Sequence, residues 1–218
     1  HALPVAAAGL RPARARDGGA LIQLVNDGVA KRTRSPFGFQ LIDVFTGEGP
    51  LGRITPYLDL QVGTTWVPTD IKGWISSTCV LAYPGLGRRA DASQPPSTYR
   101  VRIDAELYRP HYLHVHDGIT VTVPPYNDTE PTGAFEPRFG RVHLIPAVLY
   151  QFPAYVPVLR GEVIDSTGAP VVNAQVTNGT TTERGLTDER GAFGMPLRQI
   201  KPAAGPGAPP PPADEITY

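Results

Sequence analysis

Apolar residues recur at every second position through long parts of the chain. Phe37, Phe39 and Leu41 alternate with Gly38 and Gln40, the period of a strand with one buried face. After the turn residues Thr46-Gly47-Glu48-Gly49-Pro50, the side chains of Ile54, Leu58, Leu60 and Val62 fall on one face. A short run follows at 64–67, and a strand over 74–83 sets Ile75, Cys79, Leu81 and Tyr83 in line. The clearest alternation is 98–108, with Tyr99, Val101, Ile103, Ala105 and Leu107 on one side and Arg100, Arg102, Asp104 and Glu106 on the other. Strands are further expected at 111–115, 119–123 and 141–151. Seven or eight strands over 36–156 describe a β-sandwich domain.

Two connections are long, 84–97 and 124–140. Loops of that length are uncommon in compact domains and often functional. Simple strand reversal would put them at opposite ends of the sandwich. The first carries Arg88 and Arg89, and the second carries Tyr126, Phe135 and Phe139 among prolines. Stiff aromatic tips of this kind suit protein contact. Residues 1–35 read as an extended arm. Arg11, Arg14, Arg16, Lys31, Arg32 and Arg34 outweigh Asp17 and Asp27, and Leu21, Ile22, Leu24 and Val25 form its apolar cluster. The arm is either a frayed terminus or a segment that orders on a neighbouring subunit through that cluster.

The pattern restarts at residue 157 after two prolines, which stiffen the junction. Residues 159–176 read LRGEVIDSTGAPVVNAQV, and 187–193 read TDERGAF. The series Gly-x-Val-x-Asp, x-x-Gly-x-Pro, Val-x-x-Ala-x-Val and Thr-Asp-x-x-Gly-x-Phe resembles the carboxypeptidase regulatory-like family, a transthyretin-like β-sandwich module, over about residues 158–198. The resemblance implies a non-catalytic accessory module over 157–200. The turn chemistry agrees: Asp165-Ser166-Thr167-Gly168 is a tight turn, Asn178-Gly179 is a hairpin signal, and the turn 188–191 lets Phe193 plug the core. Modules of this family usually continue for further strands. Here a Pro-rich tail follows over 201–218, with four consecutive prolines at 209–212 and only Ile216-Thr217-Tyr218 as a possible final strand. The module is therefore truncated, completed by its own tail, or completed by another chain through strand addition.

Composition supports this reading. The 218 residues include 23 glycines and 25 prolines, too much proline for a long-helix protein. The fold class expected is all-β: two tandem β-sandwich (Ig/transthyretin-like) domains with an extended N-terminal arm and a Pro-rich tail. The formal net charge is zero, so no global field draws the chain to nucleic acid. No apolar run approaches the roughly 18 residues of a membrane span. The single Cys79 rules out an internal disulfide framework. It falls on the apolar side of its expected strand and reads as core.

Candidate chemistry is sparse. His111, His114 and His116 are weak metal candidates. In the preferred hairpin register Val115 pairs with Ile119, leaving His116 at a loop tip and His114 beside Thr120 on a wet face. The Glu that a cupin-like set needs is missing. No Gly-x-Ser-x-Gly elbow or phosphate loop is present, so no catalytic residue and no cofactor is assigned. The expected function is a non-catalytic structural or interaction subunit of a larger assembly, of bacterial-surface, phage-tail-like or contractile-injection-like type. Its partners would be other protein subunits, with Leu21, Ile22, Leu24, Val25, Arg88, Arg89, Tyr126, Phe135 and Phe139 as contact residues. The alternatives are a carbohydrate- or ligand-binding module, with Trp66 and Trp74 as a stacking platform, and a metal-dependent β-barrel enzyme built on His111, His114 and His116.

Overall fold

The structure is a computed structural model. It describes residues 21–26, 29–89, 93–127, 138–179 and 183–197, with the backbone alone over 21–33. The start of the expected arm, the loop tip holding Phe135, and the Pro-rich tail with its possible last strand lie outside the described residues. Among these residues every regular element is a strand, apart from one short 3-10 helix at His111–His114. The protein is all-β.

The first two strands, β1 (Leu21–Asn26) and β2 (Val29–Arg34), pair antiparallel as a two-stranded sheet. Residues 21–26 and 29–34, expected as extended arm, are therefore a pair of antiparallel strands. The largest sheet comprises β3 (Phe37–Asp43), β4 (Ile54–Val62), β5 (Thr65–Pro68), β6 (Trp74–Ile75), β7 (Val80–Ala82), β8 (Ser97–Ala105), β9 (Tyr108–Pro110), β10 (Ile119–Val123) and β11 (Arg138–Pro146). Its order is β5-β4-β8-β9-β11-β3-β7-β6, with β10 on β8. Four strands follow: β12 (Val158–Glu162), β13 (Gln175–Thr177), β14 (Arg184–Leu186) and β15 (Ala192–Pro196). Here β12 pairs β15 and β13 pairs β14, both antiparallel.

The chain divides into two compact units. One draws on residues 1–40, 58–100 and 120–141, the other on 41–57, 101–119 and 142–218. In the first unit Phe37, Leu58, Leu81, Tyr83, Tyr99 and Val123 are buried. The Phe37 ring lies 5.4 Å from those of Phe39 and Tyr83. Ser35 Oγ stitches this core at its margin, donating to Phe37 O and accepting the Tyr83 N–H. In the second unit Leu41, Val101, Ile103, Tyr108, Tyr112, Leu144, Ile145, Tyr150, Leu186, Phe193 and Met195 are buried.

Period-two reading holds where a strand is continuous and covered. Phe37, Phe39 and Leu41 are buried, as are Tyr99, Val101, Ile103 and Ala105. It fails in three places. The expected strand 74–83 is broken by a turn: Cys79 has φ +60° and its N–H bonds Ser76 O. Ser76 Oγ takes the Val80 N–H. Cys79 is thus a half-buried turn residue and not core, because three small polar residues, Ser76, Ser77 and Thr78, bond their own backbone more readily than they extend. In β4 the expected apolar face is fully buried only at Leu58; Ile54 and Leu60 are half-buried, and Val62 near the sheet edge is 56% exposed. Residues 111–115 are not a strand, since the 3-10 helix replaces it and with it the register that paired Val115 with Ile119. The two long connections, expected at opposite ends, meet: Arg88 bridges Tyr126, the Arg89 N–H bonds Tyr126 O, and the Tyr126 N–H bonds Gly87 O. Both β9 and β10 pair with β8, so the strands between the connections do not simply reverse in turn.

The turns of residues 158–197 follow their sequence closely. The Asp165 carboxylate accepts from Thr167 N, Thr167 Oγ1 and Ala169 N. Asp188 accepts from the backbone N–H of Arg190 and Ala192. Gly191 sits at φ +73°, where a Cβ would lie 2.5 Å from Val163 O. Phe193 is buried, its ring fitting against the bare Cα positions of Gly161 and Gly185. The Asn178 hairpin exists with a longer loop than a two-residue turn: Thr177 pairs Arg184, so residues 178–183 make the connection.

Candidate functional site

Chemistry-bearing side chains gather in the second unit, where β9 and the 3-10 helix meet the C-terminal strands. Pro110 ends β9, and its fixed φ and missing N–H stop the ladder there. The chain then winds into the 3-10 helix, which turns His111 and Tyr112 inward and His114 outward. Tyr112 is anchored by the Ile103 N–H, which donates to its hydroxyl at 2.8 Å. Burial pushes this phenol up to about 12.

Arg109 and His111 key this segment to the C-terminal strands. Arg109 donates to Glu189 Oε1 at 2.9 Å and to Asn173 Oδ1. Asn173 offers that oxygen from a left-handed backbone conformation, φ +58°. Arg109 Nε is buried without a hydrogen-bond partner. The Glu189 carboxyl is held below its usual range by the hydrogen bond from Arg109. His111 Nε2 lies 3.0 Å from Gln175 Oε1 and 3.3 Å from Arg184 Nη1. Its ring centroid is 4.3 Å from that of His114. Burial pushes the His111 imidazole down to about 4, and the nearby His114, Arg184 and His143 push the same way against the Gln175 hydrogen bond. A neutral imidazole is therefore the resident form at neutral pH.

The three histidines do not converge. His111 faces Gln175, His114 stacks on it while its Nδ1 bonds His111 O, and His116 is exposed beyond the 3-10 helix. Among the described residues no group of three His, Cys, Asp or Glu side chains is placed to hold a metal ion. His114 is not beside Thr120 on a strand face, because no strand forms there.

A second network in the same unit surrounds Asp43, which is fully buried. It accepts from Phe45 N at 2.8 Å, Tyr150 Oη at 2.9 Å and Tyr108 Oη at 3.3 Å. The rings of Phe45, Tyr108, Tyr150 and Phe152 pack around it. Burial is the first cause that raises both phenols, and the Asp43 carboxylate adds to it. Asp43 continues the parity of Phe37, Phe39 and Leu41, so its inward position was legible in the sequence. Nothing in the sequence announced the two tyrosines, 65 and 107 positions away.

In the first unit the Asp59 carboxylate, 1% exposed, takes both Arg100 Nε at 3.0 Å and Nη2 at 2.8 Å. The guanidinium lies 5.0 Å from the Trp66 ring centre. Trp66 and Trp74 stand on the two edge strands β5 and β6, and the face of Trp66 is taken by Arg100.

Of the expected contact residues, Arg88 is exposed and Tyr126 is half-buried beside it. Arg89 is tied down by Gln94 and by Ser97 Oγ at 3.0 Å. Phe139 is 49% exposed and lies within β11, not at a loop tip. Its ring is close enough that a Cβ on Gly38 would meet it at 2.8 Å. The side chains of Leu21, Ile22, Leu24 and Val25, and all of Phe135, lie outside the described residues. Exposed apolar residues recur elsewhere: Leu149, Tyr155, Leu159, Ile164 and Val172 are each more than two-fifths exposed within 25 residues of chain. Comparison with family models, with curated proteins and with solved structures finds no match.

Proposed function

We infer that the protein is a non-catalytic structural subunit of a larger protein assembly. The observation that carries this reading is the series of exposed apolar side chains over 149–172, with Tyr155 at 85% and Leu149 at 68%. Scattered single apolar residues are ordinary on a surface, and a contiguous apolar patch marks a contact face; Leu149, Tyr155, Leu159, Ile164 and Val172 are proposed to contribute to such a patch. The polar side chains beside it support the same reading. Arg109 bonds Glu189 and His111 bonds Gln175, which commits these side chains to holding the C-terminal strands to residues 109–111. The C-terminal strands are proposed to be a carboxypeptidase regulatory-like module, the second of two tandem β-sandwiches. The turns at Asp165 and Asp188 and the seat of Phe193 support that assignment. By fold-level analogy alone the assembly is of bacterial-surface, phage-tail-like or contractile-injection-like type.

The test is the mass of the purified protein in solution, together with its metal content. A concentration-dependent oligomer that Tyr155→Ser and Leu149→Ser weaken is expected. A stable monomer with stoichiometric metal overturns the reading in favour of a metal-dependent enzyme, and a metal-free monomer that binds glycans overturns it in favour of a carbohydrate-binding module.

A further inference from the structure

We propose that the outer edge of β12 is a docking site for residues 214–218 of the same chain, added as a parallel strand. The register of β12 on β15 decides which groups are open. Leu197 N bonds Pro157 O and Val163 N bonds Gly191 O, with Leu159 opposite Met195 and Gly161 opposite Phe193. The odd-numbered residues thus bond β15, and the N–H and C=O groups of Val158, Arg160 and Glu162 point to the other side. No described backbone group bonds them there. Five residues of unprotected edge are a template for strand addition. The comparable edge of β13 is only three residues long, Gln175–Thr177, and offers a shorter template.

The side chains say what the added strand carries. Leu159 shares the face of Phe193 and Met195, which are 8% and 2% exposed, yet Leu159 is 43% exposed. The apolar layer simply ends at β12, and one more strand would cover it. On the opposite face Arg160 and Glu162 are exposed. The segment Asp214-Glu215-Ile216-Thr217-Tyr218 alternates to match. Ile216 and Tyr218 share one face and would extend the layer over Leu159. Glu215 and Thr217 share the other, which places a carboxylate on the side of Arg160. Ile, Thr and Tyr are also strong strand formers.

Reach selects the parallel direction. The segment is preceded by Ala208, Pro209–Pro212 and Ala213, a sequence that favours a polyproline-II rod and would span about 19 Å in that form. β12 is about 16 Å long. A parallel strand begins beside Val158, at the end of β12 where Leu197 also lies, its N–H 2.8 Å from Pro157 O. Residues 198–207 then need to span only the rod's length, and Gly205 and Gly207 allow the reversal. An antiparallel strand entered in line with the rod would ask them to span about 35 Å, the limit of a fully extended chain; only a sharp turn at Ala213-Asp214 would shorten it. A tether of this length supplies an effective concentration near the millimolar range, which favours the chain's own tail over that of a second copy. The proposal does not depend on the assembly reading.

Amide hydrogen exchange tests it on the full chain, on a chain ending at Ala213, and on Ile216→Pro, which removes an N–H that would face β12. In the full chain Val158, Arg160 and Glu162 are expected to exchange about tenfold or more slowly than in either variant. Leu159 and Gly161, bonded to β15, report whether the module is folded. Added peptide of sequence Asp-Glu-Ile-Thr-Tyr restores protection to the shortened chain. Fast exchange at Val158, Arg160 and Glu162 in the full chain overturns the proposal, even if the variants do not fold. So does protection that disappears on dilution together with an oligomer, which would assign the strand to a second copy.

Discussion

Tyr150 donates its hydroxyl to Asp43 Oδ2 at 2.9 Å across 107 positions of sequence. The bond joins the end of β3 to the segment after β11 inside a shell of four aromatic rings. A carboxylate with no exposure is tolerable only because three donors reach it.

Tyr150→Phe keeps the ring and removes one donor. A loss of about 2 kcal/mol is expected, the range for hydrogen bonds to charged groups. Asp43→Ala takes the shared acceptor from the Tyr108 and Tyr150 hydroxyls and the Phe45 N–H together and is expected to cost more, about 3 kcal/mol. Urea unfolding of both variants checks the order; equal stability of Tyr150→Phe and the parent would show that the bond contributes nothing net.

The Arg100–Asp59 pair makes a sharper demand. Arg100→Ala leaves a carboxylate that is 1% exposed without its guanidinium, at an expected cost of about 3 kcal/mol or more. Arg100→Lys should recover less than half, because a compact ammonium neither forks onto the carboxylate nor stacks over Trp66. Denaturant midpoints measure stability, and the Trp66 emission reports the local change.

His111 sets an acid limb. Its pKa falls from 6.5 unfolded to about 4 in the fold, so the unfolded state binds the extra proton first as pH drops. The contribution of the neutral ring is complete above about pH 6.5 and is lost progressively between about pH 6.5 and 4, by at most about 3 kcal/mol. His111→Gln cannot titrate. Melting temperatures from pH 7 to 4 should fall less steeply for that variant than for the parent, and parallel curves would remove His111 from the account.

Two glycines separate strain from collision. Gly168 has φ +85° with open space around it, whereas Gly191 has φ +73° and a Cβ added there would lie 2.5 Å from Val163 O. Gly168→Ala should cost about 1 kcal/mol from the left-handed backbone alone. Gly191→Ala should cost clearly more, since Val163 O accepts the Val171 N–H and cannot retreat freely. Thermal unfolding of the two variants side by side decides it.

Much of the fold is legible in the sequence. Alternation located β3, β8 and β10, because a strand with one covered face needs nothing beyond its own residues to choose that face. The Asp165 and Asp188 turns were legible for the same reason, since each carboxylate bonds backbone within four residues of itself. The break at Cys79 had a local signal in Ser76-Ser77-Thr78, but β-branched and apolar neighbours on both sides masked it. The 3-10 helix at His111 had none. Tyr112 and His111 turn inward there because Ile103 N and Gln175 offer partners from elsewhere in the chain.

By itself, then, the sequence determined the class, the strands with one covered face, the short-range turns and the small residues that seat Phe193. These depend on interactions within a few residues, or on a simple division between wet and dry faces. The tertiary structure alone decided which polar groups became partners: Asp43 with Tyr150, Asp59 with Arg100, Arg109 with Asn173 and Glu189, and His111 with Gln175. Each pairing joins positions about 40 or more residues apart, and its stability comes from the shared burial that folding creates, a quantity absent from any local stretch of chain.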